Sequence, residues 1–114
     1  NALGELRFRL RDFVAAREWE QFHSPKNLAI ALTVEAGELL ELFQWTTDRQ
    51  PTKIVDGRLE NVKNEIADIF LYLIRLADVL NVDLIEAANA KIELNAAKYP
   101  VEKSRGNASK YTEL

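Results

Sequence analysis

Leu3, Leu6, Leu10 and Phe13 recur at spacings of three and four, with Arg7, Arg9, Arg11 and Asp12 between them. That is the period of an amphipathic helix, and it predicts one over residues 2–17. In EWEQFHSPKN, Ser24 is an N-cap and Pro25 sits at the first helical position, where its missing N–H costs nothing. A second helix is therefore predicted from Pro25 to Trp45. The polar stretch TTDRQPTKIVDG, with Pro51 and Gly57, reads as a loop. Leu59, Val62, Ile66, Ile69, Leu73, Leu76 and Leu80 restore the helical period up to Asn81. Asp83 opens DLIE, an Asp-x-x-Glu variant of the capping box, and predicts a fourth helix to Lys98, ahead of Pro100. The tail EKSRGNASKYTEL is small, polar and locally basic, and is expected to be ordered only against another surface. The pattern is all-α: a four-helix domain over residues 1–100, then a polar tail over 101–114.

The second and third predicted helices carry apolar residues on nearly every side. A four-helix monomer of this size cannot cover them all, so a homo-oligomer is expected. The chain has 114 residues, 47% apolar and 29% charged, which suits one ordinary globular domain. A net charge of -3 and a pI near 5.2 argue against a nucleic-acid polymer as partner, because phosphate binding leaves a basic footprint. No apolar run approaches the roughly 20 residues of a membrane span, so no membrane partner is expected and the cytoplasm is the default compartment. With no cysteine, disulfides and thiolate chemistry are excluded.

The segment TVEAGELLELFQW sets three glutamates in an otherwise apolar stretch. Rotating about 100° per residue from Glu35 brings Leu28, Ala31, Leu32, Leu39 and Leu42 within about 60° of it. Glu38 lies at the edge of that stripe, and Glu41 falls near Ile30 and Val34. On the third helix the same arithmetic sets Glu65 beside Val62, Ile69, Tyr72 and Leu76, with Asp68 one turn along toward Arg75. Ionised carboxylates among apolar neighbours, and near one another, are costly without a shared cation. Their hard oxygens suit Mg²⁺ or Mn²⁺. The competing reading is a pair of solvated acidic faces, which the apolar surroundings disfavour. A di-iron bundle needs two Glu-x-x-His motifs, and the single histidine, His23, is not so placed.

The succession WEQFH, SPKNLAIALTVEAGELLELFQW, NEIADIFLYLIRLADVLNVDL, AKIELNAAKYP and SRGNASKYTEL resembles the MazG-like all-α nucleotide pyrophosphohydrolases, and among them the dCTP pyrophosphatase branch. The resemblance implies Mg²⁺-dependent hydrolysis of a nucleoside triphosphate, dCTP foremost, to the monophosphate and pyrophosphate, with Mn²⁺ as a substitute. It implies house-cleaning or pool control and a homotetramer built as a dimer of dimers. Glu35, Glu38, Glu65 and Asp68 become metal ligands, and Glu41 a residue that orients or activates water. Trp19 and Trp45 would enclose the base, Lys91 would contact phosphate, and Asn95 sugar or phosphate. Lys91 and Asn95 are four apart on the fourth helix, and Tyr99 continues their face. His23 beside Ser24 is a candidate for base or sugar, or simply a capping group. Tyr72, on the arc of Glu65, can close the sugar pocket. Lys103, Arg105 and Lys110 are candidates to fold over the triphosphate. The alternatives are a dUTP or modified-nucleotide pyrophosphatase of the same superfamily, and a non-catalytic nucleotide-binding helical module.

Overall fold

Asn1 accepts from the backbone N–H of Gly4 at 2.7 Å through its side chain and so caps the first helix, α1 (Ala2–Ala16). The computed structural model describes residues 1–44, 58–106, 108 and 112, and no strand occurs among them. At the end of α1 the chain closes with two crossed bonds, Trp19 N–H to Val14 O and Glu18 N–H to Ala15 O, each 3.1 Å. This is a Schellman closure, which needs a left-handed residue just past the cap. Glu18 occupies that position at φ 53°. The apolar contact that accompanies such closures is also present. Trp19 meets Phe13 edge-on with ring centroids 5.7 Å apart.

A 3-10 turn, Glu20–Phe22, leads to Ser24, whose hydroxyl accepts from Asn27 N–H at 3.1 Å and starts α2 (Pro25–Glu41). Pro25 stands in the first turn as expected. The helix stops four residues short of Trp45, because Leu42 and Phe43 bond back three residues rather than four, to Leu39 and Leu40, and tighten the last turn. Trp45 itself, the expected 46–57 loop and Lys110 lie outside the described residues. The third helix, α3 (Leu59–Val79), ends at Asn81, another left-handed residue at φ 57°, a conformation asparagine tolerates well.

Helix α3 packs against both α2 and α1. Its buried side is Val62, Ile74 and Ala77, which with Val14 of α1 and Leu28 of α2 form the core among the described residues. Much of the periodic stripe seen in the sequence is not inside: Leu59, Ile66 and Leu80 are more than half exposed, and Leu73 is exposed as well. The apolar arc of α3 is wider than α1 and α2 together can cover. Polar cross-linking comes from Arg11 of α1, whose Nε and Nη2 donate to the two carboxylate oxygens of Asp78 on α3 at 2.7 and 2.6 Å. Arg75 Nη1 adds a third cationic contact to Asp78 at 3.6 Å.

The chain divides into two compact units, Asn1–Asn81 and Val82–Leu114. In the second, Asp83 accepts from Glu86 N–H at 3.0 Å and caps α4 (Leu84–Lys98), as its capping-box spacing predicts. A short α5 (Val101–Ser104) then forms in the tail expected to lack order of its own. Pro100 brings a preset φ of -58° and offers its carbonyl to the N–H groups of Lys103 and Ser104, which suffices for one turn. No described helix is long and apolar enough to cross a membrane.

A non-glycine residue in the left-handed region costs about 1 kcal/mol that glycine does not pay. Glu18→Gly should therefore raise stability by about 0.5–1 kcal/mol, read as a higher denaturant midpoint at unchanged slope. A lower midpoint would mean that the Glu18 backbone is not held as described.

Candidate metal centre and its neighbouring cavity

Glu35 and Glu38 lie one turn apart on α2, and α3 presents Glu65 to them across the α2–α3 contact. Carboxylate oxygens of Glu35, Glu38 and Glu65 all lie within 4.8 Å of one another. Glu35 and Glu65 are half-buried and Glu38 is exposed. One oxygen of Glu35 and one of Glu65 are sealed from solvent without a hydrogen-bond partner. Orphaned buried acceptors of this kind call for a donor or a cation.

The electrostatics register the crowding. The Glu35 carboxyl is pushed above its ordinary pKa, first by hydrogen bonding to Glu65 and then by desolvation, with repulsion from Glu65 and Asp68 adding and the contact to Glu38 opposing. Glu38 is raised mainly by its hydrogen bond to Glu35 and by repulsion from that group, with Glu41 contributing a smaller repulsion. A hard, all-oxygen donor set with two unpartnered buried atoms fits a hard divalent cation.

Asp68 is not within the group of three, but its charge is felt at Glu35. It lines, with Glu35, a cavity of about 230 Å³ in the first unit. The other walls are Leu10, Phe13 and Val14 from α1, Trp19 and His23 from the connection, and Leu71, Tyr72 and Arg75 from α3. Trp19, His23 and Tyr72, singled out in the sequence, thus share one cavity with two of the acidic residues. Glu41 is exposed beyond Glu38. Lys91 and Asn95 on α4, and Tyr99 at its C-cap, are exposed residues of the second unit.

Several cavity residues escaped the sequence reading, Phe13 and Arg75 among them. Phe13 was assigned only to a helix stripe, and Arg75 only to the surroundings of Asp68. The available signal for Arg75 was its place three residues after Tyr72, which puts both on one face of α3. In the structure Arg75 Nε donates to His23 Nδ1 at 3.1 Å. Burial, and next the Arg75 cation, lower the pKa of His23. The Arg11 hydrogen bonds hold the Asp78 carboxyl below its ordinary value despite its burial.

Helices that bring clustered carboxylates to one edge of an aromatic-walled cavity define a class: an all-α protein with a carboxylate centre suited to a divalent cation. The profile of the MazG-like family matches residues 30–114, and the chain belongs to that family. It is 47% identical over 105 residues to dCTP pyrophosphatase 1 of Bos taurus and 44% identical over 105 residues to that of Homo sapiens. Each match covers 90% of this chain and 62% of the relative, so the chain spans rather less than two thirds of the length of these curated proteins. The fold is similar to the crystal structure of a pyrophosphatase from Archaeoglobus fulgidus, with a TM-score of 0.83 and 42% identity over 88% of this chain and 94% of that one.

A carboxyl whose folded pKa is raised contributes stability that is complete below its unfolded pKa and is lost as pH rises through the folded value. As pH rises toward neutral without divalent cations, the contribution of Glu35 therefore falls. Glu35→Gln should then melt a few degrees above the parent at pH 7 in EDTA, and the gap should close as pH falls below about 4.5, where the parent carboxyl is protonated. A variant that melts at or below the parent at pH 7 would show that the crowding at Glu35 is already relieved.

Proposed function

We propose that this chain is a divalent-cation-dependent nucleoside triphosphate pyrophosphohydrolase, with dCTP or a related deoxynucleotide as substrate and Mg²⁺ as the cation. The observation that carries the reading is that Glu35 belongs at once to the carboxylate cluster and to the aromatic-walled cavity. A site built that way accepts a molecule with a polyanionic end and a flat, partly apolar end. The similarity to proteins named dCTP pyrophosphatase 1 supports the same substrate class.

Glu35, Glu38, Glu65 and Asp68 are the residues that would hold the cation. The chemistry it supplies when bound is neutralisation of phosphate charge and activation of water. Glu41, beyond Glu38, is assigned to orient the attacking water and take up its proton. Water adds across the α–β phosphoanhydride: its oxygen bonds to phosphorus, the bridging bond breaks, and monophosphate and pyrophosphate leave. Trp19, beside Phe13, offers a ring face for the base, and Tyr72 borders the space for the sugar. Trp45, Lys91 and Asn95 keep the base, phosphate and sugar roles that the family likeness implies, and Tyr99, which continues the face of Lys91 and Asn95, is assigned to substrate binding with them.

The active form is proposed to be a homo-oligomer, a tetramer. Ile30, Val34 and Leu40 on α2 and Leu59 and Ile66 on α3 are at least 50% exposed, more apolar surface than two helices of a soluble monomer ordinarily leave uncovered. A second copy of the same helices is the simplest complement.

Glu38→Gln should keep the parent circular dichroism while pyrophosphate release from dCTP with Mg²⁺ falls by at least about 100-fold, the usual range for losing an essential electrostatic group. Near-parent release would remove Glu38 from the machinery, and a parent that releases pyrophosphate from no nucleotide in a panel would overturn the function. Light scattering across a dilution series should give a mass about four times the 13.0 kDa of the chain. A stable 13.0 kDa species would overturn the oligomer.

A further inference from the structure

His23 is the only histidine in the chain, and it shares the cavity wall with Arg75. The 3.1 Å bond between them runs from Arg75 Nε to His23 Nδ1. A guanidinium has no acceptor and keeps its protons, so Nδ1 must offer a lone pair. A neutral imidazole that accepts at Nδ1 carries its proton on Nε2. Turning the ring over would set carbon against the Arg75 N–H and forfeit the bond.

Arg75 is braced in turn. Its Nη1 lies 3.6 Å from Asp78 Oδ2, and Asp78 is gripped by both donors of Arg11 at 2.7 and 2.6 Å. The relay therefore spans α1, α3 and the turn before α2, all within the first unit. Burial and the Arg75 cation both disfavour a charged imidazole, in the same direction as the geometry.

We infer that Arg75, braced through Asp78 by Arg11, is a positioning residue that fixes His23 as a neutral Nε2–H donor, and that this fixed donor selects bases whose N3 is an acceptor, cytosine over uracil. The inference rests on the proposed nucleotide function. Cytosine N3 is an acceptor, whereas uracil carries N–H at N3; O2 accepts in both bases, so the contrast lies at N3. A free imidazole can exchange tautomers and meet either edge with the partner it needs. A locked one opposes N–H with N–H and leaves a buried donor unpaired, the kind of penalty that gives a site built for one hydrogen-bonding pattern its discrimination.

Two replacements separate the donor from the bulk of the side chain. Arg75→Gln keeps an N–H donor the same number of bonds from the backbone as Arg Nε. Arg75→Met keeps the length without the donor. Both leave the two Arg11 bonds to Asp78 in place. With one histidine, the nitrogen-15 correlation spectrum contains a single imidazole. Above the histidine pKa, the parent and Arg75→Gln should show an unprotonated Nδ1 and a protonated Nε2, and Arg75→Met should show exchange-averaged nitrogens. In kinetics, Arg75→Met should lose roughly tenfold in its preference for dCTP over dUTP, mostly through a raised KM for dCTP, with Arg75→Gln restoring most of it. A parent with protonated or averaged Nδ1, an Arg75→Met spectrum identical to the parent's, or an unchanged dCTP preference would each overturn the inference. The parent spectrum decides the lock even if Arg75→Met does not fold. It also does so on a protein that turns over no nucleotide, the result that overturns the proposed function instead.

Discussion

The packing of α2 on α3 forces Glu35, Glu38 and Glu65 within 4.8 Å of one another, and the site follows from that enforced proximity. Apolar burial drives two helices together without regard to what else their faces carry. Where the faces also carry acids, the free energy of packing is spent against repulsion and desolvation, and the result is raised pKa values at Glu35 and Glu38. Two sealed, unpartnered oxygens mark where the compensation is missing. A cation that binds only the folded site supplies it and stabilises the fold by mass action. On the proposed function, stability and cation affinity are thus one coupled quantity.

The acidic centre was legible in the sequence because helical periodicity is a strong signal over long elements. Glu35 falls in the middle of a stripe containing Leu28, and Leu28 is among the most deeply buried residues. The caps at Ser24 and Asp83 were legible for a different reason: their side chains make local bonds three residues on, which no tertiary contact needs to arrange. The exposure of Ile66 and Leu80 was not legible, because periodicity tells which residues share a face and not how many neighbours arrive to cover it. Nor was the bond from Arg75 to His23, which joins residues 52 positions apart. The Arg11 pairing with Asp78 spans 67 positions. Composition and spacing carry no information about such pairs.

Glu18 shows local sequence and fold in conflict, resolved in favour of the site. Glycine is the residue that the Schellman closure of α1 prefers, and its absence leaves a left-handed glutamate. What the closure gains is the placement of Trp19 at the position that contacts the last turn of α1, edge-on to Phe13. Arg17 reinforces the wall by stacking its guanidinium 3.6 Å from the Phe13 ring centroid. A broken-off helix end thereby becomes one aromatic side of the cavity, and the chain reverses at once into the turn that carries His23.

Helix α3 then runs from the carboxylate cluster along the wall of the cavity. Glu65 and Arg75 are ten residues apart, about 15 Å along a helix, with Asp68 and Tyr72 between them. The near end of that span is acidic and, if the site works as proposed, would take positive charge from a cation. At the far end, Arg75 is cationic but committed to Asp78 and His23, so it is not free to compete for phosphate. On the proposed function this removes the ambiguity a polyanionic substrate would otherwise face. The triphosphate is drawn to the cation at Glu35 and Glu65, while the opposite end, with its charges already paired, is left to read an uncharged base.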